Sequence, residues 1–205
     1  MAGGRSSRMG TEKALVQFAG EPLVAHALRI LRGAGLSPSI SGARCPLEQF
    51  APVVPDNEPD CGPLGGICSA LVWTQARWSI FLPVDLPLLP SSLVGFLLRS
   101  ARTEDAAITV ASLNGFAQTF PAVIDRAALP WLVSALAGGR GGCFAAFQAA
   151  ASGLQQALKV VDVEEGVRTG KLGHPNALSA DCWFLNVNAP ADLERAEACR
   201  KVDIR

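Results

Sequence analysis

Zinc sites and histidine-dependent catalytic centres have few of their usual residues in this sequence. It contains six cysteines, none of them in a Cys-x-x-Cys pair, and its two histidines are His26 and His174. The usual zinc spacings are therefore excluded, and a Ser-His-Asp triad has only two candidate histidines. The scattered cysteines indicate no compact disulfide framework, so a reducing cytoplasm is the simplest setting for the chain.

An excess of charge of either sign is also absent. Lysine and arginine together number 18, aspartate and glutamate number 18, and the formal net charge of the 205 residues is zero. A duplex-binding protein needs a basic surface, so we expect no nucleic-acid partner. Any anion that this protein binds must instead be held by a local cluster of cations.

Membrane-spanning and secretory segments are not predicted. The apolar stretch of residues 79–90 is interrupted by three prolines and by Asp85, so it cannot form a membrane span. The residues after Met1 include glycine and arginine rather than the apolar core of a signal peptide. With 49% hydrophobic residues, the chain can bury a real core, and its length fits one domain over residues 1–205.

Segments with strand and helix character alternate along the chain. Helices are predicted at residues 21–31, 65–76, 91–102, 127–137, 143–151 and 191–200. Strands are predicted at residues 37–42, 52–54, 78–84, 106–112, 118–124, 158–163 and 183–187. The alternation predicts a three-layer α/β fold, with a mostly parallel Rossmann-like sheet and helices on both faces.

Two features modify this fold prediction. The Asn114-Gly115 dipeptide indicates a hairpin, and we expect it to begin a smaller mixed lobe. The glycine-rich loop of such folds normally follows a strand, whereas here Met1 stands almost inside that loop. We therefore expect the first strand to be missing and the fold to be compromised, because a core strand contributes much of the buried surface.

A glycine-rich, basic segment near the start of the chain is the most informative motif. Its sequence is Gly3-Gly4-Arg5-Ser6-Ser7-Arg8-Met9-Gly10-Thr11-Glu12-Lys13. Glycines let backbone amides approach phosphate oxygens, and three cations can neutralise much of a triphosphate. The segment is not a Walker loop, because Thr11 rather than lysine follows Gly10. A solvated basic loop is the alternative interpretation.

Two aspartates follow predicted strands. Asp85 ends the apolar strand 78–84, so its carboxylate is expected at the carboxyl edge of the sheet, where such folds bind ligands. One carboxylate is sufficient for Mg²⁺ when phosphate and water complete its shell. Asp56 follows Val53-Val54-Pro55 and precedes a glycine turn that could admit a substrate. Both aspartates could instead be ordinary turn residues.

Asn186 and Asn188 alternate after an apolar run, so both could point to one face at a strand end. Their amide oxygens can bind a cation, and their amide nitrogens can bind a phosphate. The alternative is that Asn188 is an ordinary turn residue ahead of Pro190.

Four segments carry these signals in one order along nearly the whole chain. They are Met1-Ala2-Gly3-Gly4-Arg5-Ser6-Ser7-Arg8-Met9-Gly10-Thr11-Glu12-Lys13, Asp56 with Gly62-Pro63-Leu64-Gly65-Gly66-Ile67, Pro83-Val84-Asp85-Leu86-Pro87, and Phe184-Leu185-Asn186-Val187-Asn188-Ala189-Pro190-Ala191-Asp192-Leu193. The first resembles the signature loop of nucleotidyltransferases that act on molybdopterin and on sugar phosphates. Together the four resemble the molybdenum cofactor guanylyltransferases, a MobA-like nucleotidyltransferase family.

The resemblance implies roles for individual residues. The nucleotide would be bound by Ala2, Gly3, Gly4, Lys13, Asp56 and Asp85. The pterin-side substrate would be bound by Gly62, Pro63, Gly65, Gly66, Asn186 and Asn188. The catalytic residues would be Arg8, Lys13 and Asp85, with Asp85 holding Mg²⁺ as the cofactor.

The implied reaction transfers GMP from GTP to the terminal phosphate of molybdopterin, in its Mo-molybdopterin form, and releases pyrophosphate. GTP and molybdopterin would be the partners, together with molybdoenzyme-maturation proteins. Two alternatives stay open. The same fold could serve a cytidylyltransferase or a sugar-phosphate nucleotidyltransferase. The second alternative is a non-catalytic nucleotide-binding module. It is favoured by Ala43 and Phe120, which stand where the family often has asparagine and histidine.

Overall fold

The computed structural model describes residues 1, 12–42, 47–56, 61–139 and 142–201. Its helices are α1 (Leu23–Gly33), α2 (Gly62–Trp73), α3 (Ser91–Thr103), α4 (Leu129–Ala137), α5 (Cys143–Gly153), α6 (Val163–Arg168), α7 (Ala180–Trp183) and α8 (Pro190–Lys201). Its strands are β1 (Gln17–Phe18), β2 (Glu21–Pro22), β3 (Ile40–Ser41), β4 (Val53–Val54), β5 (Trp78–Phe81), β6 (Ile108–Leu113), β7 (Phe116–Asp125) and β8 (Lys159–Asp162). Short 3-10 helices span Lys13–Leu15 and Arg126–Ala128.

The main sheet has four strands in the order β5-β7-β6-β8. β7 runs antiparallel to β5 and to β6, whereas β8 runs parallel to β6. β3 and β4 form a separate parallel pair, and β1 and β2 a small antiparallel one. The described strand pairs are therefore mixed rather than mostly parallel, which corrects that part of the prediction.

The hairpin that joins β6 to β7 explains the mixed sheet. Leu113 pairs with Phe116, and the two residues between them, Asn114 and Gly115, have φ values of 52° and 76°. Positive φ at both positions is the geometry of a two-residue type I′ turn, as the Asn-Gly dipeptide predicts. The turn returns the chain antiparallel into the middle of the main sheet. The hairpin is thus a central part of that sheet and not the start of a smaller lobe.

Helices cover both faces of the main sheet, which confirms the predicted α/β class. The buried residues of β7 alternate between two cores, because successive side chains of a strand point to opposite faces. Val123 packs with α1 and α3 in one core, whereas Ala122 and Ile124 pack with α2, α4 and α5 in the other. Among the described residues, no helix combines the length and apolarity that a membrane crossing needs.

The prediction of a strand at residues 183–187 is wrong. Residues 180–183 form α7 instead, and residues 184–189 have no regular structure. Trp183 and Val187 are both fully buried, and their spacing of four residues fits one face of a strand as well as a helical turn, so the pattern did not distinguish the two. The Trp183 indole N–H donates to the carbonyl of Leu178 over 2.8 Å, so this turn is anchored locally.

The strand predicted at residues 78–84 is shorter and less buried than expected. β5 ends at Phe81, and Trp78, Ser79 and Ile80 are only half-buried. Within the described chain, β5 pairs with β7.

His26 is a buried histidine of α1 that the geometry holds neutral. Its Nε2 lies 2.8 Å from the carbonyl oxygen of Phe18, which can only accept, and its Nδ1 lies 2.7 Å from the Arg29 guanidinium, which can only donate. The ring must therefore carry its proton on Nε2 and a lone pair on Nδ1. Burial lowers the pKa of His26 below its ordinary 6.5, the Phe18 carbonyl raises it in part, and Arg29 lowers it further.

We predict that the free energy of unfolding falls as the pH drops below about 6.5, in part through His26. In that range the unfolded chain takes up a proton that the folded chain resists, so stability is retained above the window and lost below it. His26→Gln can keep both hydrogen bonds and does not titrate. Thermal melts from about pH 8 to about pH 5 should therefore show a shallower loss in the variant. Parallel curves for the two proteins would contradict this role.

Candidate active site

Three side chains from distant parts of the chain meet around the ammonium group of Lys13. Its Nζ donates to Oδ2 of Asp85 over 2.6 Å and to Oδ1 of Asn188 over 2.5 Å. Lys13 is 72 residues from Asp85 and 175 residues from Asn188 in sequence. The Lys13 and Asp85 side chains are 17% and 19% exposed, so the cluster is sheltered but open to a ligand.

Backbone hydrogen bonds fix Asp85 beyond the end of β5. The Val187 N–H donates to the Asp85 carbonyl over 2.9 Å, which joins the segment after α7 directly to the aspartate. Two residues earlier, Pro83 breaks the regular strand. Asp85 therefore lies past the carboxyl end of β5, as the sequence predicts for this side chain.

Asn188 is positioned by a carboxylate at the start of α8. Asp192 Oδ2 accepts from the Asn188 N–H over 3.0 Å and from the Ala189 N–H over 2.9 Å. Asp192 is thus a helix-start capping residue that holds the backbone of the segment whose side chain contacts Lys13. Asn186 is exposed, and the structure does not bring it into the Lys13 cluster.

A second group of predicted residues meets at the ends of β3 and β4. A Cβ added at Gly66 of α2 would lie 3.5 Å from Ser41 Oγ, 3.8 Å from the Gly42 N–H nitrogen and 3.9 Å from Asp56 Oδ1. Gly66 therefore leaves a small space between α2 and the two strand ends. Asp56 itself is exposed beside that space.

The start of α2 carries the rest of the predicted glycine block. Gly62 has φ of +65°, a left-handed conformation that a side chain would strain. Pro63 follows in the first turn, where its missing N–H is not needed, and both residues are exposed. Gly65 and Gly66 are buried on the inner side of the same turn. Ala2, Gly3, Gly4 and Arg8 lie outside the described residues.

The amine of Met1 lies close to the Lys13 cluster. It donates to the Leu82 carbonyl over 2.9 Å. Burial lowers its pKa from 8.0 to about 6, and the nearby Asp85 carboxylate raises it in part.

Asp85 has the chemistry to hold a divalent cation together with a phosphate. Its Oδ1 is buried and has no hydrogen-bond partner among the described residues, and Asn188 Oδ1 accepts from the same Lys13 ammonium group. No group of three or more carboxylate, histidine or cysteine side chains that could hold a metal occurs in that part of the chain. A cation here would therefore need phosphate oxygens and water to complete its coordination shell, which is how Mg²⁺ is usually bound.

Sequence reasoning missed two side chains of this region. Ser41 at the end of β3 faces the Gly66 space, and a two-residue strand followed by Gly42 gives too weak a signal to single it out. Asp192 is detectable, because an acidic residue in the first turn of a predicted helix is a known capping pattern.

The profile of the MobA-like NTP transferase domain family matches residues 1–165 of this chain. The molybdenum cofactor guanylyltransferase of Cupriavidus metallidurans is 37% identical over 149 residues, which cover 68% of this chain and 73% of that protein. The molybdenum cofactor guanylyltransferase of Vibrio cholerae is 36% identical over 197 residues, which cover 94% of this chain and 87% of that protein.

Solved structures share the fold. Molybdopterin-guanine dinucleotide biosynthesis protein A from Archaeoglobus fulgidus superposes with a TM-score of 0.75 at 19% identity, covering 98% of this chain and 96% of that one. The 2-C-methyl-D-erythritol 4-phosphate cytidylyltransferase of Thermus thermophilus superposes with a TM-score of 0.62 at 16% identity, covering 93% and 94%. At these identities the likeness concerns the fold alone.

We predict opposite effects on stability for alanine at two glycines of α2. Gly62→Ala should lower the free energy of unfolding by about 1 kcal/mol or more, because its φ is positive. Gly66→Ala should be neutral or stabilising by up to about 1 kcal/mol, since its Cβ meets only ordinary contacts and alanine favours a helix. Urea unfolding of both variants measures the difference. A loss at Gly66 as large as that at Gly62 would contradict the space described beside α2.

Proposed function

The chain belongs to the MobA-like NTP transferase family, and we propose that this nucleotidyltransferase moves GMP from GTP to the terminal phosphate of Mo-molybdopterin, releasing pyrophosphate. The observation that carries the proposal is the contact of Lys13 with both Asp85 and Asn188. These residues come from three of the four segments that resemble the guanylyltransferases. The name of two relatives that are 36% and 37% identical to the chain, molybdenum cofactor guanylyltransferase, supports a guanylyl transfer to the molybdenum cofactor.

The attacking group in this reaction needs no protein base. A phosphate monoester has a second pKa near ~6, so it is mostly dianionic at neutral pH. One of its oxygens attacks the α-phosphorus of GTP, the bond from that phosphorus to the bridging oxygen breaks, and pyrophosphate leaves with the electron pair. The absence of histidine from the described cluster is therefore consistent with the proposed chemistry.

The chemical difficulty is the approach of one anion to another. Lys13 can turn its ammonium from Asp85 and Asn188 toward the triphosphate, with Arg8 as a second proposed cation. Asp85 would hold Mg²⁺, which when bound neutralises charge on the triphosphate and on the departing pyrophosphate. Once a cation occupies Asp85, the carboxylate no longer needs Lys13 as its partner.

The second part of the site would orient the two substrates. The space at Gly66 beside Asp56 would admit the nucleotide, together with Ala2, Gly3 and Gly4. The turn Gly62-Pro63 with Gly65 would face the pterin side, as would Asn186 and Asn188. Placing both substrates in line lowers the activation barrier further, because the reacting groups are already held in position for the attack. A cytoplasmic location fits the spacing of the six cysteines, which includes no Cys-x-x-Cys pair and indicates no compact disulfide framework.

Nucleotide preference tests the substrate assignment. Pyrophosphate release with Mo-molybdopterin as acceptor should be at least about tenfold faster with GTP than with CTP or UTP, a difference of about 1.4 kcal/mol. Preference for CTP would identify a cytidylyltransferase, and activity with sugar phosphates in place of the pterin would identify the other enzyme alternative. Binding of GTP without any pyrophosphate release would identify a non-catalytic module.

Substitution at Lys13 and Asp85 tests the catalytic roles. We expect Lys13→Met and Asp85→Asn each to lower kcat by about 100-fold or more, since the first removes a positive charge proposed to act on the triphosphate and the second removes the charge proposed to hold Mg²⁺. Because Lys13→Met leaves the mostly buried Asp85 carboxylate without its cation, the melting temperature of each variant is recorded and kcat is compared where that variant is folded. Lys171→Met at an exposed position provides the matched control.

The control variant should keep both the wild-type kcat and the wild-type melting temperature. The assignment fails if Asp85→Asn turns over at a near-normal rate with Mg²⁺ bound. It also fails for Lys13 if its variant loses activity only in proportion to unfolding.

A further inference from the structure

A cavity of about 520 Å³ opens beside α1, and Lys13, Asp85 and Asn188 do not line it. Small-molecule sites in proteins have volumes of about 300–1,000 Å³, so this cavity is large enough to hold a ligand. Its walls come from four parts of the chain that are far apart in sequence: the β1–β2 turn with α1, residues 87–91, residues 174–178 and the end of α8. A ligand bound here would therefore occupy a site distinct from the Lys13 cluster.

The buried part of the lining is apolar. Ile30 of α1, Leu88, Leu89 and Leu178 all line the cavity, and all four belong to the core that α1 and α3 share. A ligand with an apolar body would cover these side chains and remove apolar surface from water, which favours binding.

The outer part of the lining has more positive than negative charge. Arg29 and Arg200 are exposed there, and Glu21 is the one carboxylate that lines the cavity among the described residues. Glu21 pairs with Arg29 over 2.9 Å. Arg200 has no carboxylate partner within the described chain, and its guanidinium carbon lies 5.6 Å from the centre of the Phe18 ring. This imbalance favours a ligand with a negative charge.

The Arg29 guanidinium is held in one orientation by two contacts. Its Nη1 lies 2.9 Å from Glu21 Oε2, and its Nη2 lies 2.7 Å from His26 Nδ1. An arginine side chain has five N–H donors, so donors remain for the oxygens of a ligand. Because the side chain is already ordered, binding loses less conformational entropy than it would with a freely moving arginine.

The wall formed by residues 174–178 is also anchored. Before it, the Ser92 hydroxyl donates to the Gly173 carbonyl over 2.6 Å, and at its end the Trp183 indole N–H donates to the Leu178 carbonyl over 2.8 Å. Asn176 lies between these two bonds and is exposed beside the cavity. Its amide can donate a hydrogen bond to a ligand oxygen.

We propose that this cavity binds a small organic anion, with one carboxylate or phosphate group beside Arg29 and Arg200 and an apolar body against the leucine side chains. Guanidinium groups bind both kinds of oxyanion through paired hydrogen bonds, so the two sources of the charge share one chemistry. The apolar lining distinguishes such a ligand from an inorganic anion, and the two arginines distinguish it from a neutral apolar molecule.

The experiment titrates the intact chain, without nucleotide or metal, with 2-naphthoate and with 2-naphthyl phosphate. Calorimetry measures Kd, and thermal melts measure the stabilisation. At least one of the two anions should bind with a Kd below about 1 mM and raise the melting temperature. The tighter of them identifies the preferred oxyanion. Acetate lacks the apolar body and 2-naphthol lacks the charge, so each should bind at least about tenfold more weakly.

Two substitutions place the ligand in this cavity. Arg200→Gln removes a cation, and Asn176→Asp adds a negative charge, so each should weaken binding by about tenfold or more. Both residues are exposed, and melts without ligand check that each variant is folded. Arg168→Gln removes an exposed arginine of α6 that does not line the cavity, and it should bind as the wild type does.

Three results would overturn the proposal. The first is a Kd above about 10 mM for both anions. The second is equal binding of 2-naphthol, which would identify a general apolar cavity. The third is binding that survives both Arg200→Gln and Asn176→Asp, which would put the anion elsewhere on the molecule. None of these readouts depends on turnover, so the result is independent of the proposed reaction.

Discussion

The shared contact of one ammonium group with a carboxylate and an amide is the interaction on which the site depends. Lys13, Asp85 and Asn188 come from a 3-10 helix, from the end of β5 and from the segment before α8. A partly buried carboxylate left without a cation is costly, so the pair also ties these segments together. Asp192 and the Val187 N–H hold the third segment in place through backbone hydrogen bonds. In the proposed reaction, Lys13 could therefore turn to an anionic substrate and Asp85 to a metal while these backbone hydrogen bonds stay in place.

The parts of the fold with strong local signals were predictable. The Asn114-Gly115 turn has the expected geometry, and the apolar face of α1 is buried as its spacing indicates. The alternation of elements gave the correct class, but not the pairing of the strands. Pairing depends on which edges meet in space, and nothing local to β7 reveals that it enters between β5 and β6. The segment from Trp183 to Val187 shows the other limit, because a short apolar run suits a strand and a helical turn equally well.

The site was more accessible to prediction than the sheet, for a physical reason. Asp85 at the end of an apolar strand and Asn188 before Pro190 stand out because polar groups in such settings need partners. Their meeting with Lys13 could not be derived from local patterns, since the contacts join residues far apart in sequence. Ser41 and the space at Gly66 could not be found at all, because they arise only when α2 packs on the ends of β3 and β4.

The two parts of the site are carried by different strands of the fold. Asp56 and Gly66 lie beside the ends of β3 and β4, whereas Asp85 and Lys13 meet beyond the carboxyl end of β5. In the described chain no backbone ladder joins the two sides across the sheet layer, so their separation is set by side-chain packing of α1, α2 and α3. A reaction that needs a triphosphate held at both sides is sensitive to that distance, because misplacement by about 1 Å is costly to an in-line transfer.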